Sequence, residues 1–93
     1  MADEQILIAL KVDLQISTTI MDSYLLNLIS AAKSFITREG VTLTSSTEDG
    51  MLVEMYAAYL YRRRREENVA MPRMLRWALN NRIFSEKAGA TNG

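Results

Sequence analysis

Apolar residues recur at helical spacing along four stretches of the chain, and polar or hydroxyl-rich segments separate these stretches. The first stretch covers residues 3–14 and begins with Asp3 and Glu4, whose negative charges favour the N-terminal end of a helix. Its apolar stripe consists of Ile6, Leu7, Leu10 and Leu14. The pattern predicts a first helix over residues 3–14, which ends before the turn-forming, hydroxyl-rich segment 16–19.

The second stretch predicts a long helix with a signal at each end. Thr19 can cap the N-terminus, and Asp22 lies three residues later, where a capping box has its acidic partner. Gly40 follows Arg38 and Glu39 and suits the position that ends a helix. The stripe between these ends consists of Met21, Leu25, Leu28, Ile29, Ala32, Phe35 and Ile36.

The rest of the chain predicts a linker, two more helices and a tail. Residues 41–47 are β-branched and hydroxyl-rich, which favours an extended linker or one short strand. The third helix begins at Ser46 or Thr47 and runs to Asn68, and Pro72 opens the fourth. Their stripes are Leu52, Met55, Tyr56, Tyr59 and Leu60, and Leu75, Ala78, Leu79 and Ile83. Residues 86–93 are small and polar and predict a disordered C-terminal tail.

Together these elements predict an all-α fold. We expect a small bundle of about four helices in a single domain over residues 1–85, with an extended linker between helices two and three. A chain of 93 residues has a thin stability margin, and association with other copies is one remedy for it.

Composition excludes most catalytic chemistry. The chain contains neither cysteine nor histidine, so disulfides, thiolate metal sites and the commonest general base are excluded. Its carboxylates are scattered, and no phosphate-binding glycine loop or nucleophilic serine motif occurs. We therefore expect a protein that is not an enzyme and needs no cofactor or metal. No stretch reaches the roughly 18 apolar residues that cross a bilayer, so we expect no membrane partner and synthesis in a cytoplasm.

The zero net charge conceals an asymmetry between the two halves of the chain. Residues 1–50 carry three basic and seven acidic groups, giving −4, whereas residues 51–93 carry eight basic and four acidic groups, giving +4. Such halves can pair between copies, head to tail, or face each other within one fold. The sequence favours neither arrangement.

The run of four arginines from Arg62 to Arg65 has two interpretations. The guanidinium groups can contact DNA phosphates without recognising base sequence. They belong to Arg62, Arg63, Arg64 and Arg65. Alternatively they form a solvated helix end, in which Arg62 and Arg63 pair with Glu66 and Glu67 four residues on. Successive helical residues point about 100° apart, so the four cannot all face one partner, and the second interpretation is favoured.

A candidate protein–protein interface comes from the second half of the chain. Trp77 lies off the stripe of the fourth helix, as an interface anchor would, unless that helix is buried on two sides. Tyr61 points away from the stripe of the third helix. Reversing the charges of Arg73 and Arg76 is expected to disrupt assembly. The predicted interface residues are therefore Tyr61, Arg73, Arg76 and Trp77.

A set of residues between Leu10 and Arg82 resembles a known family, and the resemblance covers roughly residues 6–84. The set is Leu10-Lys11, Leu14, Ile16, Asp22, Leu25, Leu28-Ile29, Ala31-Ala32, Ile36, Tyr61-Arg62, Glu66, Met71-Pro72, Leu75, Leu79 and Arg82. It is similar to the short head–tail connector (adaptor) proteins of tailed phages and prophages. Those begin with a Leu-Lys…Leu-x-Ile segment, continue with a Leu-Ile-x-Ala-Ala-x-x-x-Ile helix and close with a proline-led helix. The chain departs from them at Ser17-Thr18-Thr19, where an acidic stretch is usual, and at Arg38-Glu39-Gly40, where an aromatic turn is usual.

The resemblance implies a structural role at the head–tail junction of a virion. Its members form rings beneath the portal protein and extend the DNA channel toward the tail. The implied partners are further copies in a closed, dodecamer-like ring, the portal protein, a tail-side adaptor or stopper protein, and the passing DNA through non-specific contact. The alternative is a small helical DNA-binding or regulatory protein that uses the arginine-rich second half, although zero net charge argues against it.

Overall fold

The computed structural model describes residues 1–92, with side chains through residue 88, and contains four α-helices. They are α1 (Asp3–Leu14), α2 (Asp22–Arg38), α3 (Thr47–Arg65) and α4 (Arg73–Asn92). Residues 1–92 contain no strand, so the linker between α2 and α3 is extended without forming one. The predicted all-α bundle of about four helices is confirmed.

Helix α3 is the centre of the bundle, since it packs against each of the other three helices. Its buried residues lie all round its axis rather than along the single predicted stripe, and Ala57 and Ala58 let neighbouring helices approach closely. The apolar core contains Ile6, Leu10, Leu25, Ile29, Ala32, Ile36, Val41, Leu52, Val53, Ala57, Leu75 and Leu79. Helix α4 is attached to the bundle chiefly through α3.

The C-terminal end of α2 is a Schellman motif, and the predicted role of Gly40 is confirmed. Gly40 has a φ of +106°, its amide donates to the carbonyl of Thr37 at 3.0 Å, and the Val41 amide donates to the carbonyl of Ile36 at 3.4 Å. Val41 is then buried in the core. The turn therefore ends the helix and directs the linker back over the bundle.

Replacing Gly40 by Ala is expected to lower the free energy of unfolding by about 1 kcal/mol, because an L side chain is strained at this φ. No atom lies within 4 Å of the added Cβ position, so backbone strain is the whole effect. Urea denaturation of Gly40→Ala measures it. Ser34→Ala, an exposed site within α2, is the control and should be nearly neutral.

The N-terminal end of α2 differs from the sequence prediction. Met21 precedes the helix without a side-chain cap, and Thr19 contributes only its carbonyl, which accepts from the Asp22 amide at 3.1 Å. The Asp22 carboxylate instead accepts a hydrogen bond from Lys11 Nζ at 2.8 Å. The carboxylate that the capping box requires therefore forms an ion pair with α1 instead.

Helix α3 begins at Thr47, where the sequence predicts, and its N-terminal end is capped by Ser46 and tied to α4. Ser46 Oγ accepts from the Asp49 amide at 3.1 Å. The buried Asp49 carboxylate accepts from the amide of Thr44 at 2.6 Å, from its hydroxyl at 2.9 Å, and from Arg82 Nη1. Arg82 also donates to the carbonyl of Thr42 at 3.0 Å. Asp49 thus joins the linker, α3 and α4.

Helix α4 continues beyond residue 85, where the sequence predicts that the folded domain ends. Residues 86–92 continue α4, and Gly93, the last residue of the predicted tail, lies outside the described residues. Glu86 accounts for part of this difference, because its Oε1 accepts from the Thr42 amide at 2.9 Å and lies 3.6 Å from Arg82 Nη2. The linker therefore anchors the helix one turn further than the apolar stripe indicated.

Candidate assembly surface

The outward face of α4 is an apolar stripe. Met74, Trp77 and Phe84 are 72%, 67% and 76% exposed, although each is large and apolar. Their spacing of three and seven residues places them on one side of the helix, opposite the buried Leu75 and Leu79. We call Met74, Trp77 and Phe84 the α4 stripe. The helix is therefore apolar on two faces, and the fold covers only one of them.

A shallow groove of about 620 Å³ lies beside the N-terminal half of the α4 stripe. Met74 and Trp77 line it together with Met71 and Asn80, and Arg73 and Arg76 stand in its wall. This combination of an indole, two thioethers and guanidinium groups is typical of protein interfaces. Three of the four predicted interface residues, Arg73, Arg76 and Trp77, thus meet at one place.

Arg73 and Arg76 differ in their environments within this groove. Arg76 Nη1 donates to Glu39 Oε1 at 2.8 Å and lies 3.4 Å from Asn80 Oδ1, so its charge is engaged within the fold. Arg73 is exposed. Arg73 is therefore the basic group of the groove that best suits contact with another molecule.

The fourth predicted interface residue, Tyr61, lies elsewhere. Its ring is 6.5 Å from the ring of Tyr24, and its hydroxyl accepts from Arg65 Nη1 at 2.9 Å. It lines a separate depression between the C-terminal ends of α1 and α3, near Asp13 and Arg62. The structure therefore does not bring Tyr61 together with Trp77.

The four arginines at the end of α3 point in different directions, as their spacing predicts. Arg62 Nη2 lies 3.5 Å from Asp13 of α1, and the guanidinium groups of Arg64 and Arg65 lie 5.7 and 5.3 Å from the rings of Tyr24 and Tyr61. Arg63 is exposed. The four guanidinium groups do not form one basic surface.

The predicted pairing of Arg62 and Arg63 with Glu66 and Glu67 needs a helix that continues through both glutamates. Helix α3 ends at Arg65, and Glu66 has an extended backbone with φ −132° and ψ 142°. The Glu66 amide still donates to the Arg62 carbonyl at 3.0 Å, but the ion pair that Arg62 makes is with Asp13 of α1. This pairing prediction is therefore wrong for Arg62.

Much of the charge asymmetry is compensated within the fold. Ion pairs join the basic half to the acidic half, among them Arg62 with Asp13, Arg76 with Glu39, and Arg82 with Asp49. The acidic half also pairs internally, Lys11 with Asp22 and Lys33 with Asp3. The intramolecular interpretation thus accounts for several charges, while Glu4 and Arg73 remain exposed on α1 and α4.

A second apolar stripe lies on the outward face of α1. Ile8 and Val12 are 64% and 74% exposed, and Glu4 precedes them by one helical turn on the same side. We call Glu4, Ile8 and Val12 the α1 stripe. Sequence reasoning placed only the inward face of this helix, because apolar residues occur on every side between positions 6 and 12 and one stripe does not stand out.

Glu54 is a buried carboxylate that sequence reasoning also missed. It is 4% exposed on α3, and its Oε2 has no hydrogen-bond partner among the described residues. Burial raises its pKa to about 7, and the nearby Asp13 carboxylate adds to the rise, partly offset by Arg62. The available signal was that Glu54 is the one charged residue between positions 50 and 61, in a helix that is otherwise apolar or small all round.

Comparison with known proteins identifies no relative. The chain matches no model of a protein family, no curated protein and no solved structure. Among the described residues, no three histidine, cysteine, aspartate or glutamate side chains are grouped to hold a metal ion. No described helix has both the length and the apolar character needed to cross a membrane.

Proposed function

We propose that the protein is a structural assembly subunit that binds its neighbours through the α4 stripe. More specifically, we propose that it belongs to a head–tail connector ring of a tailed bacteriophage virion, where it docks on the portal protein and extends the DNA channel. The observation that carries the proposal is that α4 presents Met74, Trp77 and Phe84 to solvent on the face opposite its core contacts.

The cost of exposing this face supports the proposal. Met74 and Trp77 line one groove, and covering that groove removes apolar surface from water. Tryptophan is also among the residues that contribute most to binding energy at interfaces. Ring formation needs no bond chemistry, and this agrees with a chain that lacks histidine and cysteine.

The resemblance of residues 6–84 to short connector proteins supports the finer part of the proposal. Their proline-led last helix corresponds to Met71-Pro72 followed by α4, the helix that carries the outward stripe. In a ring, each subunit contacts the next through two different surfaces, and a constant rotation closes the assembly. Portal protein and a tail-side stopper protein would meet the two faces of that ring.

Native mass spectrometry and light scattering over a concentration series test this function. We expect a discrete closed multimer that forms as concentration rises. A chain that remains monomeric at every concentration, and also with purified portal protein, would contradict the proposal. A DNA-binding assay at physiological salt runs in parallel.

Replacing Trp77 by Ala is expected to weaken self-association roughly 30-fold, the effect of losing an interface anchor worth about 2 kcal/mol. Circular dichroism should stay unchanged, because the indole is outside the core. Arg73→Glu should also weaken assembly. It is a better test than Arg76→Glu, because Arg76→Glu also breaks the ion pair with Glu39 within the fold. Ile20→Ala removes an exposed apolar side chain from a loop and is the control. Equal association of Trp77→Ala and the control would exclude the α4 stripe.

DNA binding through the exposed arginines is the alternative that the parallel assay addresses. The observation in its favour is that Arg63, Arg64 and Arg65 lie at the exposed end of α3. A monomer with tight, strongly salt-dependent affinity for duplex DNA would support this alternative. Loss of that affinity in Arg63→Ala, with Trp77→Ala unaffected, would assign it to the arginine run.

A further inference from the structure

The α1 stripe and the α4 stripe are similar in length and opposite in charge. Glu4 and Val12 are separated by about 12 Å along α1, and Met74 and Phe84 by about 15 Å along α4. Glu4 stands at the N-terminal end of the first stripe, and Arg73 directly precedes the second. Both charged side chains are exposed, whereas neighbouring charges such as Asp3 and Arg76 are in ion pairs within the fold.

The two stripes also have matching spacing. Glu4 and Ile8 are four residues apart on α1, as Arg73 and Trp77 are on α4. If the helices align in parallel with Glu4 opposite Arg73, Ile8 lies beside Trp77. Ile8 and Trp77, at the middle of the two stripes, are both exposed in one chain, so each is open to a second copy.

We propose that the α1 stripe of one copy docks on the α4 stripe of the next copy. This inference rests on the proposed assembly function and names the surface that the α4 stripe binds. In the same parallel alignment, contact of α4 with α4 would place the two Arg73 side chains together, and contact of α1 with α1 would place the two Glu4 side chains together. The mixed contact joins opposite charges, and it is heterologous, so it generates a ring when its rotation closes.

Complementation between two surface variants tests the pairing. Ile8→Asp damages only the α1 stripe and Trp77→Asp only the α4 stripe, at positions where the side chains are exposed. We expect each variant alone to be monomeric where the wild-type chain assembles. Their mixture should form one intact contact and therefore a 1:1 heterodimer, twice the 10.6 kDa of one chain, and nothing larger. Ile20→Asp, an exposed apolar loop position, should assemble as the wild type does.

A charge exchange tests the alignment without changing an apolar residue. Glu4→Arg and Arg73→Glu should each weaken assembly roughly tenfold, and the double variant should recover it, because every contact then joins Arg at 4 with Glu at 73. Circular dichroism of every variant confirms that the helices are retained.

The outcomes separate this inference from the proposed function. Normal assembly of Ile8→Asp, or a mixture that stays monomeric while the wild type assembles, would overturn the α1–α4 contact and leave the assembly function standing. Failure of the wild-type chain to assemble under any condition would overturn both. A 1:1 heterodimer together with recovery in the charge-exchanged chain would establish the contact.

Discussion

Replacing Glu54 by Gln is expected to stabilise the protein by about 3 kcal/mol above pH 8 and to remove most of its pH dependence between about 4.5 and 7. Glu54 is buried on α3, one carboxylate oxygen has no partner, and Asp13 lies close to it. An ionised Glu54 is therefore costly. A Gln side chain is neutral at every pH, and its amide can donate to Asp13 as a protonated Glu54 does.

The sign of the pH dependence follows from the raised pKa. The pKa of Glu54 is about 7 in the folded chain against an ordinary value of 4.5, so the folded state holds this proton more tightly. The stabilisation is complete below about pH 4.5 and is lost as pH rises through about 7. The contribution of Glu54 to the wild-type free energy of unfolding should therefore fall between about pH 4.5 and 7.

Urea denaturation at several pH values measures the effect. Glu48→Gln changes an exposed glutamate in the first turn of the same helix and should keep the wild-type pH dependence. Parallel curves for Glu54→Gln and the wild type would show that Glu54 does not carry the proton. A loss of stability in Glu54→Gln at pH 8 would contradict the buried-carboxylate argument directly.

Replacing Arg82 by Met is expected to destabilise the protein by about 3 kcal/mol at neutral pH. The substitution keeps much of the side-chain volume but leaves the Asp49 carboxylate, which is 3% exposed, without its cationic partner. Burial alone raises the pKa of Asp49, yet hydrogen bonds from Arg82 and Thr44 outweigh burial and lower it. Without Arg82, its hydrogen bond no longer offsets the effect of burial, so the ionised Asp49 carboxylate destabilises the folded state.

A double-mutant cycle isolates the Arg82–Asp49 contribution. Asp49→Asn removes the charge, so Arg82→Met should cost less in that background than in the wild type. Arg73→Met, an exposed arginine on the same helix, is the control and should be nearly neutral to stability. Equal costs for Arg82→Met in both backgrounds would show that the ion pair contributes little.

Local signals in the sequence predict the helices and several of their ends, whereas tertiary ion pairs decide the rest. Gly40 ends α2 and α3 begins at Thr47 as the sequence predicts, because the motifs at these two ends involve only neighbouring residues. The capping box of Asp22 is not formed because Lys11, eleven residues earlier, binds that carboxylate. Contacts with residues far along the chain cannot be inferred from spacing within one helix.

The residues of the candidate surface were likewise predictable where local spacing decides their position and unpredictable where tertiary packing does. Trp77 is outward because it is out of phase with Leu75 and Leu79, and this phase is visible in the sequence. The outward Ile8 was not predicted, because α1 has apolar residues on several sides and the choice of buried side depends on where α3 lies. Tyr61 is not beside Trp77, because its ring lies near Tyr24 of α2, whereas Trp77 is on the exposed face of α4.

The central position of α3 has a consequence for the order in which backbone amide protons exchange with solvent. Because α3 is enclosed by the other helices, its interior amides should exchange only when the whole chain opens. Helix α4, whose helix packing is chiefly with α3, should lose protection first through a local opening. Deuterium uptake in α4 therefore reports whether another molecule binds this helix, since exchange of its amides should slow toward the rate of α3 when α4 is covered.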